Sequence, residues 1–204
     1  MSLAAAGAAL AAEAARLAAL GWMRGTAGNL SLVLARDPLR LAVTASGIDK
    51  GALTAADVVL VDARGAAVDP AAPRRPSAEA ALHARLAALT GAGAVVHVHP
   101  LAAVLAADAY PNGVALEGLE MLKGIGRAAE GDRVRVPVVA NSQDMTVLGD
   151  RAAAALEPGV PALLVRRHGL YTWGASLDQA RYHAETVVWL LEFLNAGGAP
   201  TPPA

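Results

Sequence analysis

Ala94-Val95-Val96-His97-Val98-His99-Pro100 is a short run of small and β-branched residues closed by proline, and it predicts a strand over Ala94 to His99. Side chains alternate along a strand, so His97 and His99 share one face while Val96 and Val98 occupy the other. Two imidazoles at i and i+2 can close on one divalent ion, and imidazole suits zinc. They can equally be two unrelated histidines on a half-exposed face. The spacing alone leaves both open.

Upstream of this strand, Pro76-Ser77 predicts a helix to about Leu89, with Ser77 as N-cap and Gly91 as stop. Ala66 to Arg75 reads as a surface loop, and Val58 to Val61 as a short buried strand. Leu30 to Leu34 and Leu39 to Thr44 form a hairpin around Arg36-Asp37-Pro38. Leu3 to Leu20 is an alanine-dense helix ending at Gly21.

Downstream, Leu101 to Ala107 is helical and is broken at Pro111-Asn112-Gly113. Leu116 to Ile125 is mixed and favours neither element. Val134 to Ala140 and Ala162 to Val165 are strands, Ala152 to Leu156 belongs to a helix, and Leu170 to Trp173 is strand-like after a glycine turn. Ser176 and Gln179 form a capping box for a last helix, whose Leu177, Ala180, Ala184, Val187, Leu191 and Leu194 repeat at three and four. A Pro-rich tail over Ala199 to Ala204 is expected to be disordered. Strands interspersed with helices predict an α/β fold layered around a mixed sheet, in one domain over residues 1–198.

Composition narrows the function classes. The 204 residues include 17 Lys and Arg against 18 Asp and Glu, for a formal charge of −1, and no cysteine. Disulfides, thiolate metal sites and cysteine nucleophiles are thereby excluded. A chain without basic excess is not expected to bind nucleic acid. The longest apolar stretch, Leu3 to Met23, is mostly alanine and carries Glu13 and Arg16, so it makes a poor membrane span. It also lacks the layout of a signal peptide. The expectation is a soluble, cytoplasmic protein with no membrane partner.

Other residues bear on chemistry. His168 follows the apolar strand ending at Val165 and precedes Gly169, so its ring can reach a ligand face on a neighbouring strand. It can also be a turn histidine beside two surface arginines. His83 and His183 lie inside helices and read as satisfied or solvated. Glu79 near a helix start suits the helix dipole, and is also a candidate ligand or base. Glu120 and Lys123, at i and i+3, read on spacing as a surface pair. Thr26-Ala27-Gly28-Asn29 and Ser46-Gly47, with Lys50 nearby, offer N–H groups and hydroxyls to an anion, yet match no Walker motif and are also ordinary turns.

Taken in order, these segments resemble the class II aldolase/adducin-like family: Gly25-Thr26-Ala27-Gly28-Asn29-Leu30-Ser31, Thr44-Ala45-Ser46-Gly47, Pro76-Ser77-Ala78-Glu79 with His83, Val96-His97-Val98-His99, and Arg167-His168-Gly169-Leu170. The resemblance implies a three-layer α/β/α fold around a mainly antiparallel mixed sheet, usually in a homotetramer. It makes His97, His99 and His168 ligands of one Zn2+ per subunit. Thr26, Gly28, Asn29, Ser46, Gly47 and Lys50 become contacts to the phosphate of a small phosphorylated ketose. Leu116 to Lys123, Ser46 to Gly51 and Asn141-Ser142-Gln143-Asp144 are similar to a branch of the family that dehydrates such a ketose, with Glu120 as catalytic acid/base. Glu79 matches a zinc-ligating position of the sugar-phosphate aldolases. The alternatives are an aldolase or epimerase of the fuculose- or ribulose-phosphate type and, more distantly, a non-enzymatic adducin-like interaction module.

Overall fold

Helix α1 (Leu3–Ala19) begins where the Ser2 hydroxyl accepts from the N–H of Ala5, satisfying one otherwise orphaned donor. Its Ala6, Leu10, Ala14 and Leu17 are wholly buried. Each buried leucine contributes about 2 kcal/mol of transfer free energy. The computed structural model describes residues 1–198, and the tail expected to be disordered lies outside the described residues.

The chain then forms a hairpin of β1 (Asn29–Arg36) and β2 (Leu39–Thr44), turning at Asp37-Pro38. After β3 (Val58–Val61) comes helix α2 (Ala80–Thr90), strand β4 (Ala94–Val98) and helix α3 (Leu101–Ala109). A small pair of strands, β5 (Val114–Glu117) and β6 (Arg133–Val136), encloses a 3-10 helix over Glu120–Ile125. Strand β7 (Val138–Val139), helix α4 (Met145–Ala155), strands β8 (Ala162–Val165) and β9 (Gly169–Gly174), and helix α5 (Leu177–Asn195) complete the order.

Seven strands make the main sheet in the order β3-β2-β1-β4-β9-β8-β7. Every neighbouring pair is antiparallel except β7 with β8. One face packs against α1, α3 and α5 through Leu30, Leu32, Ala94, Val96 and Val98. The other meets α2 and α4 through Val95, Leu163, Val165 and Tyr171, and α2 again through Leu41, Val43 and Val59. The three-layer α/β/α expectation with a mainly antiparallel mixed sheet is borne out. No helix among the described residues is long and apolar enough to cross a membrane.

Three element boundaries differ from the sequence reading. Helix α2 begins at Ala80 rather than at Ser77, and Ser77 is not its N-cap. The N–H of Ser77 donates to the Thr44 carbonyl, and that of Ser46 to the Arg75 carbonyl, so this segment is bridged to the end of β2 before any helix can start. Val134 to Ala140 is not one strand. Pro137, which has no N–H, divides it into β6 of the small sheet and β7 of the main one. Helix α4 starts well before Ala152, because the Asp144 carboxylate accepts from the N–H groups of Thr146 and Val147.

Candidate metal centre

The pairing of β4 with β9 creates the site. Val98 lies opposite Leu170 and His97 opposite Tyr171, so the β8–β9 turn ends beside the last residues of β4. His97 points from the sheet toward α2, and His99, one residue past the strand, follows on the same face. His168 comes from the adjoining turn. The ligand atoms of these three histidines lie within 4.8 Å of one another. His97 Nε2 is 2.7 Å from His99 Nε2 and 3.3 Å from His168 Nε2.

Glycine makes this convergence possible at two points. A Cβ on Gly169 would sit 2.5 Å from the Val98 carbonyl oxygen and 2.9 Å from His99 Cδ2. A Cβ on Gly28 would meet the His97 carbonyl oxygen at 2.9 Å, and Gly28 has a φ of +77° that side chains disfavour.

Burial sets the protonation of the ligand set. His97 is fully buried and desolvation holds its pKa well below the ordinary value, although the Glu79 charge pulls the other way. Burial and the neighbouring His168 lower His99 to about 4. Both rings are therefore neutral, the form that coordinates a metal. His97 Nδ1 lies 3.0 Å from the Leu170 carbonyl. A carbonyl only accepts, so Nδ1 carries the proton and Nε2 presents its lone pair to the cluster.

Glu79 closes the group. Its carboxylate oxygens lie 3.3 Å from His97 Nε2 and 3.2 Å from His168 Nε2. The Asn29 amide donates to Oε2 at 2.6 Å. Burial would raise the Glu79 pKa, but the attraction of His97 and His168 in their protonated forms and this hydrogen bond outweigh burial and lower it. Three imidazoles with a carboxylate beside them fit a divalent transition ion, and neutral histidines leave its positive charge largely unspent.

His99 and His168 open into a pocket of about 420 Å³ lined also by Thr26, Gly28, Asn29, Ser46, Gly47 and Lys50. All the residues predicted for anion contact thus surround one cavity, but two have further tasks. Asn29 is buried with its amide on Glu79. Lys50 is buried to 1% exposure, and its Nζ donates to the carbonyls of Thr26, Ala45 and Ile48 at 3.1, 3.3 and 2.8 Å. It ties the two loops together and places a cation behind them. Desolvation lowers its pKa.

Glu120 is not brought to this pocket. It sits on the exposed 3-10 helix, 2.6 Å from Lys123 Nζ, with its side chain 75% exposed. His83 is buried with Nδ1 against the Ser31 hydroxyl and Nε2 without a partner, and His183 Nδ1 meets the Trp173 carbonyl, so both are helix histidines outside the metal group. Tyr171, whose ring stacks on His97 at 3.9 Å, and Asn141, Gln143 and Arg167 in the pocket wall have no role of their own in the sequence reading, although Asn141, Gln143 and Arg167 lie in segments that carry the family resemblance.

Residues 8–194 match the family model described as Class II Aldolase and Adducin N-terminal domain. The methylthioribulose-1-phosphate dehydratase of Geobacillus kaustophilus is 38% identical over 186 residues, covering 90% of this chain and 88% of that protein. That of Persephonella marina is 35% identical over 177 residues, covering 86% and 82%. Among solved structures, an L-fuculose 1-phosphate aldolase superposes with a TM-score of 0.75 at 23% identity, covering 96% of this chain and 89% of that one. At that identity the likeness is one of fold.

Proposed function

The chain belongs to the class II aldolase and adducin family, and we propose that it is a zinc-dependent hydro-lyase acting on 5-methylthioribulose 1-phosphate in methionine salvage. The observation that carries this reading is the three-histidine cluster with its ionised carboxylate, in a chain 35–38% identical to proteins named for that dehydration. A retained ligand set also argues against a non-enzymatic module.

The substrate has a ketone at carbon 2 and hydroxyls at carbons 3 and 4. His97, His99 and His168 would hold the ion, which would supply Lewis acidity to the ketose. Glu79, whose carboxylate lies 3.3 Å from His97 Nε2 and 3.2 Å from His168 Nε2, serves as negative charge against the cation. The phosphate is received by the Thr26–Asn29 and Ser46–Gly47 loops, with the buried Lys50 ammonium behind them, which fixes which carbon meets the histidines. Glu120 takes the proton from carbon 3 and delivers it to the hydroxyl leaving carbon 4 as water. The resulting enol tautomerises to 2,3-diketo-5-methylthiopentyl 1-phosphate, so atoms and protons balance.

Glu120 lies outside the pocket of its own chain, so this reading places it in the pocket of a second copy. The protein is then a homo-oligomer, with a tetramer favoured by the family resemblance. Apolar surface suited to such contacts is present on α5, where Trp189 and Phe193 stack at 6.0 Å while 43% and 39% exposed.

The test is purified, zinc-loaded protein with 5-methylthioribulose 1-phosphate, following diketone formation beside aldehyde release. Diketone alone is expected. Aldehyde would assign carbon–carbon cleavage, the aldolase chemistry, in its place.

A further inference from the structure

Arg167 is the one non-glycine residue with a positive φ among the described residues, at +54°. The left-handed region is disfavoured for any residue with a Cβ, so something must hold it there. Its position makes the conformation consequential, because the next residue is His168. The turn redirects the chain after β8, with the His168 N–H donating to the Val165 carbonyl at 3.1 Å.

The two strand-derived and turn-derived ligands are oriented differently. The His97 ring is fixed through its second nitrogen by the Leu170 carbonyl. The second nitrogen of His168, Nδ1, is buried and has no hydrogen-bond partner. Metal-binding histidines ordinarily have their other ring nitrogen tied down. For His168 the aim of the ring therefore rests on its backbone and on the contact of Nε2 with Glu79, 3.2 Å away.

The side chain that bridges the two arginines of this turn comes from the end of α3. Asp108 Oδ1 accepts from Arg166 Nε and Nη2 at 3.2 and 3.1 Å, and from Arg167 Nε at 3.0 Å. Its Oδ2 accepts from Arg167 Nη2 at 3.3 Å. A single exposed ion pair restrains little. Here one carboxylate holds two consecutive residues through paired N–H groups of both guanidiniums, so it fixes the turn between them. Asp108 is not part of the pocket lining.

We propose that Asp108 is a positioning residue of the metal site, its clamp on Arg166 and Arg167 holding the left-handed turn that aims His168 at His97 and His99. This rests on the reading that the three histidines bind a divalent ion. The experiment measures zinc affinity by chelator competition, and the absorption bands of the cobalt-substituted protein, for wild type, Asp108→Ala, Arg167→Lys, Arg167→Gly and the double variant Asp108→Ala/Arg167→Gly.

Asp108→Ala is expected to lose about tenfold or more in affinity and to shift the cobalt bands, with its circular dichroism unchanged. Arg167→Lys keeps the charge but not the fork, and should also bind more weakly. Glycine adopts the turn without help. Arg167→Gly should therefore bind near wild type, and adding Asp108→Ala to it should cost nothing further. Wild-type affinity and cobalt bands in Asp108→Ala would overturn the proposal while leaving the metal site intact. An equal loss on either Arg167 background, or an unaffected Arg167→Lys, would also overturn it by showing an effect of charge alone. Wild-type protein that takes up no zinc would overturn the metal reading itself.

Discussion

Replacing His83 by glutamine should remove a defined part of the protein's sensitivity to acid. His83 is fully buried, with Nδ1 2.8 Å from the Ser31 hydroxyl, its ring edge-on to Tyr171, and no partner for Nε2. Burial lowers its pKa to about 4, against a smaller opposite pull from Glu79. In the unfolded chain the value returns to about 6.5. Between those two values the unfolded state holds one proton more than the native state, so stability falls as pH falls. The contribution is fully present above about pH 6.5 and is lost as pH drops through 4. The full shift corresponds to about 3 kcal/mol, of which about 2 kcal/mol is lost between pH 7 and pH 5.

The assay is urea unfolding of the metal-free protein at pH 7 and pH 5. His97 and His99 titrate in the same direction, so wild type loses stability on acidification for several reasons at once. The comparison isolates His83: the loss between the two pH values should be about 2 kcal/mol smaller in His83→Gln. Any change in packing caused by glutamine is independent of pH and cancels from that difference. Equal pH dependence in the two proteins would refute the reasoning, because His83 would then be free to take up its proton in the fold.

His97→Ala, His99→Ala and His168→Ala should each lower bound metal and activity together, whereas His183→Ala should keep both; elemental analysis giving wild-type stoichiometry for His168→Ala would dismiss the three-histidine site. Lys50→Met strands three carbonyls, one buried and two partly buried, so it should destabilise the protein by about 1–3 kcal/mol and raise KM for the phosphorylated substrate with metal content unchanged. If thermal unfolding and KM both match wild type, Lys50 has no such task. Glu120→Gln should lower turnover by about 10²–10⁴-fold at full zinc loading. The surface-pair alternative expects almost no change, and wild-type turnover in that variant would exclude Glu120 from the chemistry.

What the sequence made legible was whatever depends on spacing within one element. The alternation of β4 is specified on both faces, since Val96 and Val98 join the α1, α3 and α5 core while Val95 joins α2 and α4. The same alternation therefore sets His97 and His99 on a shared face without knowledge of any neighbour. The α5 capping box is equally local, with the Ser176 hydroxyl accepting from the Gln179 N–H at 3.2 Å. Boundaries failed where a tertiary contact competes with a local preference. Ser77 is a good N-cap residue, yet its hydroxyl accepts from the Glu79 N–H in a turn ahead of the helix, while its own N–H is held by the Thr44 carbonyl of β2.

The same distinction separates the parts of the site. Lys50 reads on the sequence as a free cation beside two turns, because nothing local shows that its own loop curls Ala45 and Ile48 onto the ammonium and that Thr26 meets it from the other loop. Glu79 reads as a helix-dipole carboxylate, because its meeting with Asn29, His97 and His168 requires β1, β4 and the β8–β9 turn to be in place. Glu120 carries the distinction one step further. Its motif is in the chain, but the fold of one chain leaves it paired with Lys123 at the surface. The geometry that would bring it to the histidines belongs to no element or layer of a single copy. If it acts in dehydration, the pocket is finished only when two copies meet, and mixing inactive His168→Ala with inactive Glu120→Gln should restore part of the activity that neither has alone.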